Sequence, residues 1–279
     1  MPDEPIHKGR FEPIHDAHAI EQVAFVLQID RPLDEAGFVE AHKAAEKFKT
    51  DLPGVSDIQG FRIALGAPVP AGFIPPVPSI GKVFTRTGPD GVVQSELRVE
   101  RMSLIYRTLL YTRWDAVWAQ ARKYLDVLIP KYVAPACISG IGLNFVDKFV
   151  WNGTASECRP SLLLRPASKF ITPHVYEAED LWHSHTGAFL RHDSQTKRLV
   201  NINVDYNDEN PPEGLRRVVV VTTVLNDMLN QPGYGPLEVT PEAAVSVFDA
   251  HMQRLHVFAK MAFGNIINDE MSKRIALTE

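Results

Sequence analysis

A strand, a capped helix, a proline stop and a second strand occur twice in this chain, at 20–65 and 103–151, and a further strand and helix follow at 217–226 and 241–263. Strands apolar on one face and helices apolar along one stripe must bury those surfaces against each other. The expected fold is therefore α+β: a twisted, mostly antiparallel sheet built from three βα-type units, with the helices packed on one face.

The local signals support each unit. Ile20–Asp30 is β-branched and aromatic enough for a strand. Asp34 can cap a helix from about Glu35 to Thr50, with Phe38, Val39, Ala45 and Phe48 mostly on one stripe, and Pro53-Gly54 ends it. Gly60–Leu65 reads as a short strand, and Glu96–Glu100 alternates charged and apolar residues. Thr112 can cap a second helix, 114–129, with Trp118, Ala121, Leu125 and Leu128 at helical spacing and Pro130 as its stop. Cys137–Trp151 is a long strand ending at the turn signal Asn152-Gly153. Gly187–Tyr206 offers a hairpin whose second arm places Val200, Ile202, Val204 and Tyr206 on one face and Asn201, Asn203 and Asp205 on the other. In the last helix Thr240 is the N-cap, Pro241 takes the first turn, and Val245, Phe248, Met252, Leu255, Ala259, Ala262 and Phe263 trace the buried stripe. Gly264-Asn265 reads as its C-cap or a kink.

Residues 1–19 read as an extended arm and 20–279 as one α+β domain. Within it, 66–90 is a proline-rich loop. Prolines remove backbone donors and favour extended geometry, so this stretch is expected outside the sheet interior. Val69, Phe73, Ile74 and Val77 are too apolar for a plain linker. They either dock a partner or cover an open sheet edge.

A formal net charge of −5 without a basic stripe argues against nucleic-acid binding. Cys137 and Cys158 lack CxxC spacing, so a four-thiolate zinc site is excluded. The acidic start Met1-Pro2-Asp3-Glu4 is no signal peptide, and the longest apolar run, Val218–Val224, is too short to span a membrane. A cytoplasmic location is expected, without a membrane partner.

Chemistry-bearing motifs are sparse. His183 and His185 alternate as a metal-gripping pair would, with His192, Asp180 or Asp193 as a third ligand. The plainer reading, polar loop and hairpin histidines, is preferred, and no metal or cofactor is expected. Glu96, Arg98 and Glu100 share a face that resembles the carboxylate-and-basic strands of triphosphate-tunnel enzymes, but cross-strand ion pairs explain it better. No GxSxG elbow, P-loop or GxGxxG after a strand occurs, so no catalytic residue is assigned. The glycines of Ser139–Leu143 fit close backbone packing, and His251 and His256, on or beside the apolar stripe of the last helix, fit hydrogen-bonded core residues better than ligands.

Four patches resemble a sporadically distributed family of bacterial proteins without an assigned biochemical activity. IEQVAFVLQI resembles its opening strand, and Gly142–Lys148 resembles a strand usually close to LRYINRI. Asn144 stands where arginine is usual there, and Asp147 where asparagine is. Asn203-Val204-Asp205 resembles a later DIDV-like strand. Leu255-His256, Ala262-Phe263 and Ile266–Met271 resemble a terminal helix reading LHxxIxxxFxxxIT, with Gln253 in place of the usual aspartate. The resemblance implies an α+β fold and a cytoplasmic location, and it marks a divergent member.

These readings together lead to a non-catalytic binding or regulatory protein, an accessory or neutralising partner in a bacterial conflict system of toxin or phage-defence type. Its partner would be a protein, or a second copy of the chain. The candidate binding residues are Val69, Phe73, Ile74, Val77, Glu96, Arg98, Asn144, Asp147, Asn203 and Asp205. The alternatives are a metal-dependent phosphohydrolase-like enzyme with residues gathered from several strands, and a small-ligand-binding protein.

Overall fold

Alternation of apolar residues across consecutive strands builds one buried sheet face. Phe84, Leu97, Tyr106, Phe25, Leu143, Leu225 and Val200 lie directly opposite one another on successive strands. Each is at most 3% exposed. The structure, a computed structural model, describes residues 9–59, 79–211 and 214–277.

The strands are β1 Arg10–Pro13, β2 Ile20–Ile29, β3 Gly54–Gln59, β4 Ser79–Thr87, β5 Val93–Glu100, β6 Ser103–Thr108, β7 Ile138–Asn152, β8 Trp182–Arg191, β9 Thr196–Glu209 and β10 Arg216–Leu229. They form one sheet in the order β3-β4-β5-β6-β2-β7-β10-β9-β8, and β1 also pairs with β7. Every pairing is antiparallel. The helices are α1 Glu35–Ala45, α2 Trp114–Val133, α3 Pro241–Ile266 and α4 Asp269–Arg274.

Three of these helices lie on the buried face. Trp118 of α2 packs on Phe25 with ring centroids 5.3 Å apart, and Tyr124 packs on Tyr106 at 5.0 Å. Phe263 of α3 stacks on Phe149 at 6.2 Å. Phe38, Ala41 and Ala45 of α1 are buried, and Asp34 caps that helix by accepting from the Gly37 N–H at 2.7 Å. Among the described residues no helix is long and apolar enough to cross a membrane.

The fold is thus α+β with an antiparallel sheet, but the sheet is larger than three strand–helix units supply. The units β2–α1, β6–α2 and β10–α3 are each embedded in further hairpins. Three of the strands fall where none was expected. Arg10–Pro13, inside the expected arm, pairs with β7; Gly54–Gln59 comes before the expected Gly60–Leu65 strand, which lies outside the described residues; and Ser79–Thr87, inside the expected 66–90 loop, pairs with both β3 and β5. Hydrogen bonding to two neighbours holds Ser79–Thr87 extended despite its weak alternation.

Three helix ends also differ from expectation. Pro130 sits inside α2, not at its end. Proline removes one donor and crowds the preceding turn, but Leu128, Ile129, Tyr132 and Val133 around it are buried and hold the last turn against the sheet. The N-cap is Arg113, without a side-chain bond, rather than Thr112. Gly264 likewise lies within α3, which continues to the buried Ile266 before Ile267 turns extended and Asn268 caps α4.

Candidate ligand cavity beside Asp147

The period of β7 places Leu143, Phe145, Asp147 and Phe149 on the helix-covered face. A carboxyl is thereby delivered into the core, and Asp147 is 4% exposed. It lies opposite Ile20 of β2 and Val221 of β10. Thr223, two residues further along β10, is its diagonal neighbour on the same face.

The strand edge beside Asp147 is interrupted. β1 pairs with the end of β7 and stops at Pro13, and the chain then makes a tight turn in which His15 and His18 exchange backbone hydrogen bonds of 3.3 Å. The ladder of β2 resumes with a slip between Ile20 and Gln22, which makes Glu21 a bulge. Bulges re-aim neighbouring side chains, and here His18, Ala19 and Ile20 turn toward the same space as Asp147.

That space is a cavity of about 440 Å³. Tyr111, Arg113, Trp114 and Asp115 at the start of α2 form one wall, and His256, Ala259, Lys260 and Phe263 of α3 form another. Ile275, Ala276 and Leu277 after α4 complete it. The His256 ring lies flat on Trp114, 3.8 Å away and 5° from parallel. Cavities of this size and apolar character, with a few convergent polar groups, are typical of small-molecule sites.

The polar groups at its floor are short of partners. Asp147 makes no hydrogen bond or ion pair among the described residues, and burial pushes its carboxyl up to about 8. Thr223 Oγ1 and His18 Nδ1 are buried without a hydrogen-bond partner. Burial, and then His15 beside it, lower the His18 imidazole. Burial lowers His256 to about 4, with Lys260 adding to the effect. Burial and the neighbouring Asp147 push the Tyr111 phenol up to about 12. At neutral pH the floor is a neutral acid, a hydroxyl and a neutral ring. Buried polar groups are ordinarily satisfied, so three such groups around one cavity call for an explanation.

The other residues expected at a site are placed elsewhere. Val69, Phe73, Ile74 and Val77 lie outside the described residues. Glu96, Arg98, Asn144, Asn203 and Asp205 all point to the sheet face opposite the helices and are half-buried there. Asp147 alone of the described set points to the helix side. Four strands separate Glu96 and Arg98 from Asn203 and Asp205, a span of about 24 Å at ordinary strand spacing. They do not share a cleft. Glu96 is held by Arg107 at 3.1 Å, and Arg98 by Glu100 at 2.8 Å.

His183 and His185 are exposed on β8, where His185 Nε2 lies 2.5 Å from Asn201 Oδ1. His192 is beyond the other end of β8, nine residues and roughly 30 Å along an extended chain. Among the described residues no three His, Cys, Asp or Glu side chains gather where they could hold a metal ion.

Of the two histidines expected to bond within the core, His256 instead lines the cavity, stacked on Trp114, and His251 does bond there. Its Nδ1 lies 2.8 Å from Asp227 Oδ2, and Arg198 grips the same carboxylate at 2.6 and 3.0 Å. This buried triad fixes α3 to β9 and β10 one turn before His256. His18, Thr223, Tyr111 and Trp114, which the structure brings to this site, belong to no motif in the sequence. No protein-family model matches the chain, and no curated protein matches it.

Proposed function

We propose that this chain is a non-catalytic binding protein whose ligand is a small molecule held in the Asp147 cavity. Of the functions expected from the sequence, small-ligand binding has the most structural support. The observation that carries it is the unpartnered Asp147 carboxyl beside the orphan Thr223 hydroxyl, at the base of an aromatic-walled opening. Leaving a buried polar group unpaired costs about 1–3 kcal/mol, and a ligand that pairs it recovers that free energy as affinity.

The test is a thermal-shift screen of small polar and amphipathic metabolites against the wild type, Thr223→Val and Ala259→Leu. Thr223→Val keeps the side chain's shape while removing the hydroxyl, so the unliganded protein should melt within a few degrees of wild type. Compounds that raise the wild-type melting temperature should lose most of that effect in both variants. Stabilisation that is equal in all three proteins would contradict the proposal. So would a stoichiometric protein partner, captured from the native cell, whose binding is untouched by either substitution; the neutralising-partner reading would then stand in its place.

A further inference from the structure

We propose that the cavity takes a small organic cation, a protonated primary amine on an aromatic or branched apolar body, with its ammonium group seated among Asp147, Thr223 and His18. The proposal rests on the reading of this cavity as a ligand site and adds the ligand's chemical class.

The floor matches an ammonium group in number and kind. A primary ammonium has three N–H donors and no acceptor. Asp147 and Thr223 present acceptor oxygens from adjacent strands of one face, and Thr223 Oγ1 is unpartnered. The two oxygens of the ionised Asp147 carboxylate and the Thr223 hydroxyl supply three acceptors, and the His18 ring, kept neutral by burial, borders the same space. The walls suit the rest of such a ligand. Trp114, Phe145 and Phe263 offer ring surfaces, and the negative face of an aromatic ring attracts a cation.

Other charges face the cavity from each surrounding element. Arg113 and Asp115 come from the start of α2, and His256 and Lys260 from α3. Arg113 already donates to the Ala17 carbonyl at 2.9 Å. None of these contributes to the shift of Asp147, which burial alone produces. The carboxyl therefore meets the ligand as the one ionisable acid at the floor.

Binding has a definite proton balance. The neutral Asp147 carboxyl meets R–NH₃⁺, the carboxyl proton leaves to solvent, and a carboxylate–ammonium pair remains. With the carboxyl near 8 when empty, amine binding at pH 6–7 releases close to one proton, about 0.9 at pH 7. Amine affinity then rises about tenfold per pH unit and levels off above pH 8. A neutral ligand of the same shape releases no proton.

Calorimetry decides the matter with 2-phenylethylamine, 2-phenylethanol and 3-phenylpropionate as probes. Titrations run at pH 6, 7 and 8 in two buffers of different ionisation heat, with Asp147→Asn as the comparison and its melting curve as the check on folding. The amine should bind at least tenfold more tightly than the alcohol, release the proton, and lose its advantage in folded Asp147→Asn. Equal or better binding of the alcohol or the carboxylate would overturn the amine assignment and leave the cavity as a site for another class. Amine binding without proton release, or unchanged in Asp147→Asn, would also overturn it. Failure of all three probes overturns it too, while a screened metabolite lost in Thr223→Val would keep the broader binding function.

Discussion

Replacing Asp227 by alanine should cost about 3–5 kcal/mol of folding stability, the usual result of breaking a buried ion pair from one side. The Asp227 side chain is 0% exposed and that of Arg198 3%, so the guanidinium would be left in the core without its counter-charge. His251 would lose its bond in the same step. Burial alone would push the Asp227 carboxyl up, but hydrogen bonds from His251 and Arg198 outweigh it and hold the carboxyl below the ordinary range. The sign of the pH dependence follows. A depressed carboxyl contributes stability above its unfolded value of about 3.9, and that contribution is lost as pH falls through the lower folded value. Urea denaturation at pH 7 and in steps down to pH 3 measures both effects. A loss under about 1 kcal/mol at pH 7 would mean that water reaches Arg198 and that α3 is not anchored there.

Asp147 behaves in the opposite sense. Its folded value of about 8 lies above its unfolded value, so the stability it contributes is fully present below about pH 4 and is lost as pH rises to 8. The gap between the unfolded value of about 3.9 and the folded value of about 8 corresponds to roughly 5 kcal/mol across that window. The amide of the Asp147→Asn variant cannot titrate, so the stability difference between that variant and wild type should swing in the variant's favour by about that amount between pH 4 and pH 9. Any constant cost of burying the new amide cancels in the comparison. A difference that stays flat within about 1 kcal/mol over this range would show that the carboxyl is hydrated or paired.

Much of the sheet and nearly all of the helices could be read from periodicity, and the reasons for the exceptions are local. β4 was hidden because Ser79–Thr87 follows a cluster of prolines and alternates poorly. Its extended form comes from pairing on both sides. The β8 strand begins at Trp182, five residues before the expected hairpin, because β9 is long enough to pair with all of it.

The site was partly visible. Leu143, Phe145, Asp147 and Phe149 occupy one parity of β7, which marks Asp147 as a polar residue on a core face. The same reading applies to Thr223 within Val219, Val221, Thr223 and Leu225, except that Val218–Val224 is apolar on both parities and does not declare which face is buried. His18 gave no signal, since its place depends on how a turn between β1 and β2 meets the C-terminal half of α3 and the entry of α2. Those contacts join residues far apart in the sequence, and no local pattern encodes them.

The most direct measurement on the site is the titration of the Asp147 side-chain carboxyl by its carbon-13 chemical shift, with and without saturating 2-phenylethylamine. The structure predicts a midpoint near 8 in the empty protein, moved down by at least two units when the amine is bound. A midpoint near 4 in both samples would contradict the account, because it would place an already stabilised carboxylate where the cavity needs a buried acid without a protein partner.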